Sequence, residues 1–155
     1  MISPERLRRY QFFGFLDAAQ LKAVAMITED ITTAAGAILF ENDEPADYLY
    51  LLVEGNAEII YRVNDPEHPG LDMEFYVGEL SPGEVFGIST LIEPHIYTSS
   101  VRVTEAGRAL RIQGQTLRAM CELDAKLAYG IMRQIAQTAM ERLHSTRVQL
   151  AAARA

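Results

Sequence analysis

Tryptophan is absent and cysteine occurs once, at Cys121, so the 155-residue chain can form no internal disulfide, four-cysteine zinc site or cysteine-held iron–sulfur cluster. Set between Met120 and Glu122, that thiol reads as a small core or interface residue. Positive charge is scarce: 14 Lys and Arg against 21 Asp and Glu leave a formal net charge of −7. Nucleic-acid binding draws on a basic surface to displace counterions, and Arg6, Arg8 and Arg9 are too few to supply one. No nucleic-acid partner is expected through this chain. Long hydrophobic runs are missing too, since nothing approaches the roughly 18 apolar residues of a bilayer span. No apolar core follows the arginines of the first ten residues, as it would in a signal peptide. These absences predict no membrane partner and a cytoplasmic location. The three histidines, His68, His95 and His144, show no metal-ligand spacing and no nucleophile beside them. No catalytic residue, metal or enzymatic activity is expected, and the acidic run Glu41 to Glu44 lacks the spacing of a calcium loop.

What is present suits one domain over residues 1–155, because 49% hydrophobic residues build one core of this size and not two. Residues 1–30 read as N-terminal helices. Ser3-Pro4 opens the first, to about Gln11, and Asp17 with Gln20 forms a capping box ahead of Leu21, Val24, Ala25 and Ile27. Residues 31–113 change to short apolar runs separated by Gly, Pro, Asn and Asp, the pattern of an antiparallel β-roll. Expected strands are Ile38 to Phe40, Tyr48 to Val53, Ala57 to Val63, Glu74 to Val77, Thr98 to Val103 and Ala109 to Ile112, with Gly55-Asn56 turning a tight hairpin. Residues 115–155 read as helical. In the last helix Met132, Ile135, Ala139, Leu143, Thr146 and Leu150 recur at steps of three and four, predicting a stripe that pairs with its copy in a homodimer. The rival reading folds that helix wholly onto its own roll.

Three segments carry a resemblance: Gly36-Ala37-Ile38-Leu39-Phe40, then Pro45 to Tyr50 with Glu54-Gly55, then Leu80-Ser81-Pro82-Gly83-Glu84-Val85-Phe86-Gly87. In this order they resemble the cyclic-nucleotide-binding domains of catabolite-activator-type regulators, cyclic-nucleotide-dependent kinases and gated channels. The resemblance implies a mainly β fold with helices: an antiparallel β-roll, or jelly roll, and a long C-terminal dimerisation helix. It also implies a ligand cassette over residues 82–101, where backbone amides meet a cyclic phosphate, a glutamate follows the glycine and an arginine pairs with the phosphate. Here Ile88 follows Gly87 and Tyr97 stands in the arginine position. The candidate ligand-binding residues are therefore Gly87, Ile88, Ser89, Tyr97, Thr98 and Ser99, joined by Ser145 and Thr146, which match a purine-contacting pair on the family's long helix.

The sequence-level reading is a regulatory or interaction module, a homodimer without a required cofactor, whose recognition of a cyclic nucleotide is weakened or lost and whose output passes to a separate protein partner. Two alternatives stay open. In one the chain is a working receptor for a cyclic nucleotide or other small ligand, with Tyr97 stacking on it. In the other it is the sensor of a transcription regulator whose helix-turn-helix lies outside residues 1–155. A cupin enzyme ranks below these for want of a histidine cluster. Whether Ile88 and Tyr97 leave the cassette open or fill it is not legible from sequence.

Overall fold

A computed structural model describes all 155 residues. The helices are α1 (Pro4–Arg8), α2 (Ala18–Met26), α3 (Gly114–Leu123) and α4 (Ala125–Arg154). The strands are β1 (Thr28–Thr33), β2 (Ile38–Phe40), β3 (Tyr48–Val63), β4 (Met73–Leu80), β5 (Val85–Phe86) and β6 (Ser100–Gln113). They form one antiparallel sheet in which β3 and β6 are the spine, with β1 and β2 on β6, and β4 and β5 on β3. This is the expected β-roll.

The capping box forms as predicted. Asp17 Oδ1 accepts from the Gln20 backbone N–H at 2.8 Å, and Gln20 Oε1 accepts from the Asp17 N–H at 3.0 Å. The first helix is shorter than expected and is followed by a separate 3-10 turn, Gln11–Phe13; Ser3 makes no side-chain cap. The larger correction concerns Gly55. No hairpin forms there: Tyr48–Val63 is a single 16-residue strand whose pairing with β6 shifts register around Glu54, Asn56 and Ala57. Gly55 has φ +87°, and a Cβ on it would press into the carbonyls of Glu105 and Ala106 on β6. The residue is the hinge of a bulge that bends a continuous strand, a use of glycine that shares its composition signal with a turn. The runs Thr98 to Val103 and Ala109 to Ile112 likewise join into the one strand β6.

The long strands bury both faces. Leu49 and Leu51 pack towards the helices with Phe13, Leu21, Leu117, Leu127 and Ile131, whereas Tyr50 and Leu52 point into the roll with Phe40, Phe86, Tyr97 and Val101. Alternation of period two thus serves two cores, and each fully buried leucine contributes roughly 1.5–3 kcal/mol. The first core anchors the start of α4, where Phe15 lies against Gly130 so closely that a Cβ has no room. From there α4 runs over the roll, reaching β4 where the Gln149 amide approaches Gly78.

Ile135 must be removed from the expected dimer stripe. It is 4% exposed and sits in the core formed with Leu127 and Ile131, because its direction on α4 faces the roll. The large apolar residues left open on α4 are Tyr129, Met132, Met140, Leu143, Val148 and Leu150, and all but Val148 cluster on the side away from the roll. No helix is long and apolar enough to cross a membrane.

Candidate functional site

Between the roll and the underside of α4 lies a cavity of about 490 Å³. Its roll side is the segment from Glu84 to Ser89 together with Tyr97, Thr98 and Ser99; its helix side is Thr138, Ala139, Arg142, Ser145, Thr146 and Gln149. All eight candidate ligand-binding residues named from the sequence line this one space. Residues 87–89 and 97–99 are brought there because β5 hands the chain to a 3-10 turn, Ile88–Leu91, through Gly87 at φ +73°. A Cβ on Gly87 would meet the Tyr48 carbonyl oxygen at 3.0 Å and the rings of Tyr50 and Tyr97 at 3.3 and 3.4 Å, so the turn packs as tightly as a glycine permits.

Tyr97 does not offer itself as a stacking platform, contrary to one of the sequence-level alternatives. Its ring is 4% exposed and stacked on Phe40 with centroids 3.8 Å apart. Its hydroxyl donates to the Tyr48 carbonyl at 2.7 Å and accepts from the Tyr48 N–H at 3.1 Å. Burial holds its ionisation well above the usual tyrosine range, so it stays neutral at physiological pH. Phe40, Tyr50 and Phe86 complete an aromatic cluster with it. Ile88 lines the cavity and also packs against the helical core. The cassette is therefore filled where a cation was expected and remains open beside α4.

Ser145 and Thr146 both reach the cavity, but the Thr146 hydroxyl is spent on the Arg142 carbonyl at 2.9 Å. Ala139 and Thr146 belong as much to this rim as to any dimer stripe.

Sequence reasoning missed Arg142. From α4 its Nη1 reaches the Glu84 carboxylate at 3.3 Å and its Nη2 donates to the Val85 carbonyl at 3.0 Å, so a guanidinium enters the cassette from the helix and not from the roll. A signal was available: Gln134, Thr138, Arg142, Ser145 and Gln149 form a polar row at steps of three and four, on what an amphipathic reading takes for the inner side. A second basic tie comes from α3, where Arg118 Nη1 donates to the Thr90 carbonyl at 2.5 Å and holds the end of the 3-10 turn. Thr90 itself is fully buried and donates to the Ala46 carbonyl at 2.6 Å. Both C-terminal helices are thus fastened to the cassette by an arginine.

The model of a family described as the cyclic nucleotide-binding domain matches residues 31–124. A structure from Geobacter metallireducens GS-15, assigned by inference as a cyclic nucleotide-binding protein, is 40% identical, covers 93% of this chain and all of its own, and superposes with a TM-score of 0.81. A CRP-like cAMP-activated global transcriptional regulator of Mycobacterium tuberculosis is 24% identical over 133 residues, which are 86% of this chain and 57% of that protein. This chain therefore spans little more than half the length of that curated relative. The sensor domain of a Pseudomonas aeruginosa transcriptional regulator, 16% identical with a TM-score of 0.68 over 87% of this chain and 91% of its own, shares the fold.

Proposed function

The chain belongs to the cyclic nucleotide-binding domain family, and from that membership we propose that it is a regulatory sensor module of the catabolite-activator type that no longer holds cyclic nucleotides in the family's usual way. The observation that supports this reading is the placement of Tyr97. An arginine expected to meet a cyclic phosphate is replaced by a buried ring locked to Phe40 and Tyr48, and Ile88 supplies no carboxylate for a ribose hydroxyl. Each lost charge-assisted hydrogen bond weakens binding by about 1.5–3 kcal/mol, so both together weaken it roughly a hundred- to ten-thousand-fold.

The same reading makes α4 the transmitter. Its inner side forms one wall of the cavity, and its outer side, with Met132, Leu143 and Leu150 open, pairs with a second copy. Output then passes through α4 to a separate protein or to a further segment.

A second reading, a working receptor for a different small ligand, is favoured by the volume that stays open beside α4 and by the guanidinium projecting into it. Equilibrium binding of cyclic AMP and cyclic GMP to the full chain tests the first reading. A Kd weaker than about 100 μM is expected for both, and a low-micromolar Kd for either contradicts it.

A further inference from the structure

Resting on the reading of the chain as a homodimer through α4, we propose that the open face of the β3–β4 hairpin is a second docking surface, and that its occupant is the C-terminal half of α4 from the other copy. Antiparallel register sets Tyr61 opposite Phe75 and Val63 opposite Met73, so these four side chains share one face of the two-stranded ribbon. Two residues earlier on that face Ile59 is buried in the roll, and Tyr61 lines the cavity beneath α4. Past Tyr61 the apolar face runs on without cover. The four residues are from 39% to 53% exposed, and Leu71, just before β4, is open as well. β4 is an edge strand, and open apolar surface on such a strand is a site of association.

The subunit's own α4 passes close by and does not close this face. Gln149 reaches Gly78 of β4, and Ala139 and Thr146 share the cavity lining with Tyr61. Those two helix positions adjoin Leu143 and Leu150 at steps of three and four, so apolar surface continues from the open stripe of α4 across the cavity rim to the hairpin. A second helix laid along the stripe therefore lies beside the hairpin too. Charge favours the same occupant. Glu67, Asp72 and Glu79 flank the hairpin face and take part in no salt bridge. Arg147 and Arg154, which share one side of α4 with Leu143 and Leu150, are likewise unpaired within the subunit. An apolar and basic helix side thus matches an apolar ribbon face bordered by carboxylates.

The test combines sedimentation equilibrium with cross-linking of the full chain. Phe75→Ser is expected to raise the dimer dissociation constant at least about tenfold while circular dichroism stays as in the parent. Tyr76→Ser, exposed on the opposite face of the same strand and paired with Ile60, is expected to leave that constant unchanged. To locate the contact, Phe75→Cys is mixed with a mass-tagged Leu150→Cys, both in a Cys121→Ser background, and joined with a short bismaleimide. A product at the summed mass of the two chains is expected. A dimer as tight in Phe75→Ser as in the parent, with no hairpin–helix product, overturns the assignment and leaves pairing through α4 standing. Equal weakening by Phe75→Ser and Tyr76→Ser also overturns it, because the effect then does not belong to one face. A monomeric parent overturns both the assignment and the dimer reading.

Discussion

Tyr97 and Tyr48 are joined by two hydrogen bonds through a single hydroxyl, which donates to the Tyr48 carbonyl at 2.7 Å and accepts from its N–H at 3.1 Å. This clasp ties the end of the cassette to the start of β3 and fixes the Tyr97 ring over Phe40. Replacing Tyr97 with Phe keeps the stacking and leaves both Tyr48 backbone groups without that partner. The expected loss is about 1–2 kcal/mol of folding stability, read as a lowered urea midpoint at unchanged slope.

Two glycines at positive φ separate backbone strain from collision. Gly36, at φ +88°, has open space where a Cβ would go, whereas at Gly55, at φ +87°, the carbonyls of Glu105 and Ala106 occupy it. Gly36→Ala is expected to cost about 1 kcal/mol, and Gly55→Ala at least about 2 kcal/mol more. Equal losses in denaturant unfolding contradict the bulge assignment at Gly55.

The two sides of α4 predict opposite phenotypes. Leu143→Glu places a charge on the open apolar side, and sedimentation equilibrium is expected to show a monomer whose circular dichroism matches the parent. Ile135→Ala opens a hole in the core under the helix and is expected to lower stability by about 2–4 kcal/mol while the association state is kept. The parent is expected to sediment as a dimer; a monomeric parent, or a Leu143→Glu variant that stays dimeric, contradicts a dimer contact through α4.

Asp30 links the N-terminal helices to the roll. Hydrogen bonds from Arg108 and then Arg6 outweigh its partial burial and hold its carboxyl below the usual aspartate range. A depressed folded-state pKa gives stability that is present above the unfolded value near 3.9 and is lost as pH falls through the folded one. Asp30→Asn is therefore expected to destabilise by up to about 1 kcal/mol at pH 7, with the difference from the parent vanishing in strong acid. A difference that is constant across acid titration contradicts an ionic role.

The cassette was legible through the resemblance carried by the segment Leu80 to Gly87, which implied before any coordinates that residues 87–89 and 97–99 share one site. Residues whose signal has two physical meanings were not legible. Gly55 satisfies the requirements of a hairpin and of a bulge alike, and only the unbroken partner strand β6 decides between them. On α4, apolar residues occur on two sides, so spacing alone assigned Ile135 outward when the core under the helix takes it. Arg142 escaped notice because family resemblance directs attention to the cassette for a cation, while the polar row on α4 only gains meaning once the helix is seen to lie across the cavity.

The most direct test restores the two missing side chains. Calorimetry with cyclic AMP compares the parent, Ile88→Glu and the pair Ile88→Glu with Tyr97→Arg, circular dichroism reporting that each remains folded. The account predicts little or no heat for the parent and a Kd at least about a hundredfold tighter for the pair, with the single substitution between them. A parent that binds as tightly as the pair shows that Tyr97 and Ile88 never cost the cavity its ligand, and contradicts the account.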